Sequence, residues 1–183
     1  LEQVIDIQKA AVKKACTGDA KAQAWLYEQY SKAMFTICTR MTGNTSDAED
    51  ILQDCFVIAF KNLHQLKVAE QFGGWLKRIV VNECIRFCKK NMHWETWDNE
   101  KQGNLVEEET EWWKTIDFKI IHRTIKELPE GCRQVFTLYV FEDYSHKQIA
   151  ESMGISESTS KSQYQRARAL LQQRIQKQIQ IHG

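Results

Sequence analysis

One proline and eight glycines in 183 residues leave few obligatory breaks in the backbone. Apolar residues recur at helical spacing nearly throughout, and no strand-like alternation runs longer than chance, so the chain reads as all-α. No run of about 18 apolar residues occurs, so nothing is expected to span a membrane. The opening LEQVIDIQKAAVKK lacks the apolar segment of a signal peptide, although a first residue other than Met suggests a trimmed start. A glycine-rich phosphate loop, a nucleophile elbow and HExxH are all missing, which leaves enzymatic activity without support and no catalytic residue to name. Net charge is nearly absent too, at +1.

That small sum hides a strong asymmetry. WLKRIVVNECIRFCKK, residues 75–90, holds five basic residues against Glu83. ETWDNEKQGNLVEEETE, residues 95–111, holds seven acids against Lys101, and after Glu157 there are five Lys and Arg and no further acid. Two basic helices separated by an acidic stretch suit a polyanionic partner, although three solvated faces would give the same count. The six cysteines sit mostly among apolar helical residues and read as buried free thiols of a reducing cytosol. Cys84 and Cys88 lie one turn apart with His93 beyond, but a fourth ligand is missing and both fit a buried stripe, so no metal is expected. Asn44-Thr45-Ser46 matches a glycosylation sequon, which is discounted without an export signal.

Helices are expected near 3–16, 19–41, 46–62, 70–90, 114–127, 130–141, 146–153 and 157–180. Gly18, Gly43 and Gly154 are natural stops, and Gly73-Gly74 would loosen the start of the fourth helix. The acidic stretch divides the chain into two helical domains, residues 1–92 and 114–183, joined by a linker at 93–113.

In YSHKQIAESMGISESTSKSQYQRARALL two helix starts are visible. Ser145 and Gln148 form a capping box, Gly154 permits a left-handed turn, and Ser156 can cap the second helix. Ile149, Ala150, Met153 and Ile155 supply apolar contacts at the spacing of a helix-turn-helix. On its second helix Ser160, Tyr164, Ala167, Leu171 and Ile175 make one stripe for the core. Thr159, Ser162 and Arg166, with Lys161 and Gln165 beside them, take the other side. Small hydroxyl residues let the backbone approach phosphates, amides and hydroxyls reach base edges, and cations neutralise charge, so this face is assigned to DNA. In the N-terminal half, DAEDILQDCFVIAF places Asp47, Asp50 and Asp54 on one helical face with Gln53 adjacent. Nothing nearby completes a metal site, and solvated acids are the simplest account of them.

"SDAEDILQDCFVIAFKNL", then "FGGWLKRIVVNECIRFCKK", then "LPEGCRQVFTLYVFEDYSHKQIAESMGISESTSKSQYQRARALL" together resemble the extracytoplasmic-function (ECF) group of sigma factors in the sigma-70 family. The resemblance runs from about Ala11 to Ile175. It implies a cytoplasmic, dissociable subunit of bacterial RNA polymerase that needs no cofactor, recognises promoter DNA and starts to melt it. Asp50, Gln53 and Asp54 match the family's core-binding surface. Lys77, Arg78, Asn82 and Arg86 match the helix that reads and opens the minus-ten element, with Trp75 or Phe72 as candidates to stack on an unpaired base. The family captures such bases chiefly in the preceding loop, here Leu66–Gly74. Thr159, Lys161, Ser162, Gln165 and Arg166 would read the minus-thirty-five element. The resemblance also implies control by an anti-sigma factor, and a linker of about 20 residues is too short for the middle domain of housekeeping sigma factors.

Two departures carry consequences. Ser160 stands in a buried row where the family usually has Val; bonded back to the carbonyl four residues earlier, it would make Ser160→Val tolerated and stabilising. Gln163 replaces a frequent Arg, which bears on promoter preference. Two other classes compete with this reading. A two-component or ligand-gated regulator could carry the same recognition helix, but residues 1–92 offer no sensing domain. A helical adaptor would suit the acidic helix but not the two basic ones.

Overall fold

The computed structural model describes residues 2–91 and 118–182, and every described element is helical. The helices are α1 (Glu2–Cys16), α2 (Ala20–Thr42), α3 (Thr45–Asn62), α4 (Phe72–Asn91), α5 (Phe118–Lys126), α6 (Glu130–Val140), α7 (His146–Met153) and α8 (Glu157–His182). Two short 3-10 turns, Leu63–Gln65 and Ala69–Gln71, fill the connection between α3 and α4. The expected helices recur within a few residues of their ends. The acidic stretch 93–113 and the expected helical start at 114–117 lie outside the described residues.

Two compact units divide at Phe87/Cys88, inside α4. In the first, α1 packs on α2 and α2 on α3. Its largest fully buried side chains are Phe72, Leu26, Met41, Leu63, Leu76 and Val80, each stabilising the fold by about 1.5–3 kcal/mol through removal from water. Local chemistry sets the helix starts. Asp19 accepts from the Ala22 amide at 3.0 Å, and Asn44, first residue of the sequon match, accepts from the Ser46 and Asp47 amides at 2.8 and 3.3 Å. Each cap satisfies donors that a helix start leaves open.

Gly73 has a role other than loosening α4, which runs through both glycines. A Cβ at Gly73 would meet Tyr30 Cε1 at 2.8 Å. The bare backbone therefore lets the Tyr30 ring lie against the start of α4, where it meets Phe72 edge-on at 5.1 Å. In the second unit, α5, α6 and α7 pack on α8 or on one another, around Phe136, Ile125, Leu138, Ile149, Leu171 and Val135.

Candidate nucleic-acid interface and acidic docking face

The turn between α7 and α8 is built as its residues dictate. Ser145 Oγ accepts from the Gln148 amide at 3.2 Å while Gln148 Oε1 accepts from the Ser145 amide at 2.8 Å. Gly154 takes a φ of +73° and donates its N–H to the Ala150 carbonyl at 2.9 Å. Ser156 Oγ then accepts from the Thr159 amide at 3.0 Å and lies 2.7 Å from Ser158 Oγ and 2.8 Å from Thr159 Oγ1. The hydroxyls at the start of α8 thus form a cap that fixes where the helix begins.

Ser160, Tyr164, Ala167, Leu171 and Ile175 are all buried, as their spacing predicts. On α8 two partners differ from expectation, those of Ser160 and Gln163. The Ser160 hydroxyl pairs with His146 Nδ1 at 2.9 Å, joining the first residue of α7 to the first turns of α8. Its partner is therefore not the carbonyl behind it, and Ser160→Val would leave His146 Nδ1 without this bond, which counts against the stabilisation expected from the sequence. The imidazole also stacks on Tyr139 at 4.5 Å and meets Tyr164 edge-on at 5.6 Å. Burial, with Lys161 nearby, holds His146 below the ordinary histidine range, which favours the neutral ring. Gln163 is buried and accepts from the Cys132 thiol at 3.0 Å. It braces α8 against α6, so its bearing on promoter preference can only be indirect.

The opposite face holds the five residues assigned to DNA. Thr159, Ser162, Gln165 and Arg166 are partly exposed and Lys161 is exposed. Ser162 Oγ donates to the Thr159 carbonyl at 3.0 Å, and Lys161 Nζ lies 2.8 Å from Glu157 Oε1. Arg168 instead lies over the Tyr164 ring at 5.8 Å, as a cation on an aromatic face.

On α4, Arg78, Asn82 and Arg86 recur every four residues, with Lys77 half-buried beside them. Arg86 is exposed and pairs with Glu83 one turn back. The structure separates the two stacking candidates. Phe72 is completely buried and held edge-on by Tyr30, so it cannot reach a base, whereas Trp75 stays half-exposed.

On α3, Asp50, Gln53 and Asp54 are exposed along one face while Ile51, Leu52, Cys55, Phe56 and Ala59 are buried. Val57 is 49% exposed and continues this face one turn beyond Asp54. The apolar run CFVIAF hides it, yet its place seven residues after Asp50 is the signal that could have found it. Carboxylates beside an exposed aliphatic group suit a protein partner and repel phosphate. Cys38, Cys55, Cys84, Cys88 and Cys132 are buried free thiols; burial pushes Cys88 up to about 12 and raises Cys55 as well. Such thiols stay protonated and inert. Among the described residues no cluster of three or more His, Cys, Asp or Glu is arranged to hold a metal, and His93 lies outside them. No described helix is long and apolar enough to cross a membrane.

Residues 26–93 match the model for sigma-70 region 2 and residues 118–171 that for sigma-70 region 4. The chain is 30% identical to the RNA polymerase sigma factor SigZ of Bacillus subtilis, over 81% of this chain and 84% of that one. It is 28% identical to the ECF RNA polymerase sigma factor SigW of the same organism, over 91% and 96%. Among solved structures it resembles CnrH, seen there with the cytosolic domain of CnrY, with a TM-score of 0.50 and 20% identity over 93% of this chain and 97% of that one. At that identity the likeness speaks for the fold alone.

Proposed function

The chain belongs to the ECF group of the sigma-70 family and serves promoter-specific transcription initiation by RNA polymerase; from that premise we propose how its surfaces divide the work. Residues 1–92 bind core polymerase and read and open the minus-ten element. Residues 114–183 read the minus-thirty-five element, and 93–113 link the two. Asp50, Gln53 and Asp54, with Val57 added, dock on a polymerase surface of basic and apolar character. Arg78, Asn82 and Arg86, flanked by Lys77, follow the strand backbone beyond residues 66–74, which comprise the end of the connection after α3 and the start of α4, where Trp75 offers a ring for an unpaired base. Thr159, Lys161, Ser162, Gln165 and Arg166 enter the major groove, with Arg166 suited to a guanine edge and Lys161 to phosphate.

The observation that carries this reading is the segregation of charge: an acidic, partly apolar face on α3 and cationic faces on α4 and α8, each reaching solvent. Two weak DNA readers become one strong reader when the polymerase fixes their spacing, because the second contact forms at high effective concentration. On this reading the chain has no catalytic step of its own and acts in the cytoplasm. An anti-sigma factor would silence it by covering the α3 face or the α8 face. The test is a titration of labelled protein into bacterial core polymerase beside an Asp50→Ala/Gln53→Ala variant. Core binding weakened by the double substitution supports the assignment. Absence of core binding with retained duplex affinity would return the helix-turn-helix regulator as the better account.

A further inference from the structure

The loop ahead of α4 is held by a helix that precedes the matched region 2 segment, which begins only at residue 26. Gln8 Nε2, on α1, donates to the Ala69 carbonyl at 3.2 Å and to the Glu70 carbonyl at 3.4 Å. One residue on, Lys9 Nζ lies 2.8 Å from Glu70 Oε1. α1 packs on both short turns of this connection. The contacts bridge 61 and 62 positions of sequence, so they constrain a segment that local chemistry leaves loose. The turn at Ala69–Gln71 has no side-chain cap. Val68 is 42% exposed at its entry, and Lys67 is exposed beside it.

We propose that α1 is a strap that positions the strand-capturing loop, with Gln8 and Lys9 as its positioning residues. The inference rests on the proposed role of residues 66–74 in minus-ten recognition. Two physical effects combine. Hydrogen bonds to the loop backbone remove freedom that the loop would otherwise lose on capturing a base, which is the advantage of preorganisation. The ammonium of Lys9 also neutralises Glu70, an acid placed where a polyanion must approach. Lys9 and Glu70 shift in opposite directions because of each other, Lys9 upward and Glu70 downward, as expected of a mutual pair. Their side chains are 40% and 42% exposed, so solvent screens the pair and it matters for placement and local charge more than for stability.

The experiment uses the full chain assembled with core polymerase. The probe is a bubble DNA whose promoter has been selected from a randomised library by the wild-type holoenzyme. Gln8→Ala/Lys9→Ala is expected to weaken bubble binding by roughly five-fold or more, from the loss of a few modest hydrogen bonds. Core affinity and affinity for a duplex carrying only the upstream element should stay within about two-fold, since neither touches the strap. Lys9→Glu should weaken bubble binding further, and the exchange Lys9→Glu/Glu70→Lys should restore much of it. In the free protein, amide hydrogen exchange at residues 66–72 should quicken in the double variant while α2 and α3 keep their protection. Unchanged bubble binding, or a loss that parallels core affinity, overturns the proposal. A wild-type holoenzyme that retains no bubble DNA overturns the underlying reading of the loop, and is told apart by the absence of any wild-type signal.

Discussion

The two helices proposed to face DNA, α4 and α8, both carry cations on their solvent-facing sides, but they are held in place by residues at very different distances in the sequence. What sets α8 lies close by: the Ser145–Gln148 box, Gly154, the Ser156 cap, and the bond from His146 to Ser160 across 14 positions. What sets the entrance to α4 lies far away, in Gln8 and Lys9 some 61 residues earlier and in Tyr30 against Gly73. On the proposed reading, a major-groove reader is prefabricated as a local motif that works on intact duplex. A reader of opened strand, as proposed for the start of α4, instead depends on contacts from α1 and α2, so its loop answers to distant residues.

The sharpest way to probe the first half of that comparison is Arg166→Ala. An arginine on a guanine edge contributes about 1–3 kcal/mol, so binding to the minus-thirty-five duplex should fall roughly five-fold to 150-fold, with relaxed choice at one base pair. Equal loss on all sequences would make Arg166 a phosphate contact instead. Gly73→Ala probes the second half. The added methyl must displace Tyr30, at a cost of about 1–3 kcal/mol for overpacking, read as a lower denaturant midpoint of the N-terminal unit with α8 unaffected.

Ser160→Val tests whether the α7–α8 joint depends on its hydrogen bond. Loss of the partner of His146 should cost about 1 kcal/mol and lower the melting temperature of the C-terminal unit, whereas a rise would mean that apolar burial outweighs the pair. The same joint has a pH signature. His146 is held below its ordinary value in the folded state, by burial first and Lys161 second, while Glu157 opposes. The unfolded chain therefore takes up the proton more readily. Stability of the C-terminal unit should fall as pH drops below the usual histidine range, and stop falling below the depressed folded value. His146→Gln should flatten that slope. The smallest effect belongs to Lys161→Gln. Its ion pair with Glu157 is an exposed one-turn pair screened by solvent, so stability should barely move, while the salt dependence of duplex binding falls by about one phosphate contact.

Legibility in the sequence divides along the same line. The helix-turn-helix can be read nearly residue by residue, because a capping box, a left-handed glycine and a five-residue stripe are local signals. The outward faces of α3 and α4 emerge from helical spacing, although Val57 is masked inside an apolar run. Partners fixed only by tertiary packing cannot be read. Ser160 meets His146 rather than its own backbone, Gln163 turns inward to Cys132, and Phe72 is sealed against Tyr30. Gly73 reads in the sequence as a point of flexibility, when the tight approach of an aromatic ring is what requires it. None of these contacts leaves a periodic trace, so composition and spacing carry no sign of them.

The most direct test of two readers with separate supports is promoter selection from a randomised duplex library, using core polymerase with the wild-type chain, with Arg166→Ala, and with Arg78→Ala/Asn82→Ala. The account predicts two conserved elements at a fixed separation, the upstream one lost with Arg166 and the downstream one with Arg78 and Asn82. A single element, or selection that proceeds equally well without core polymerase, would contradict it.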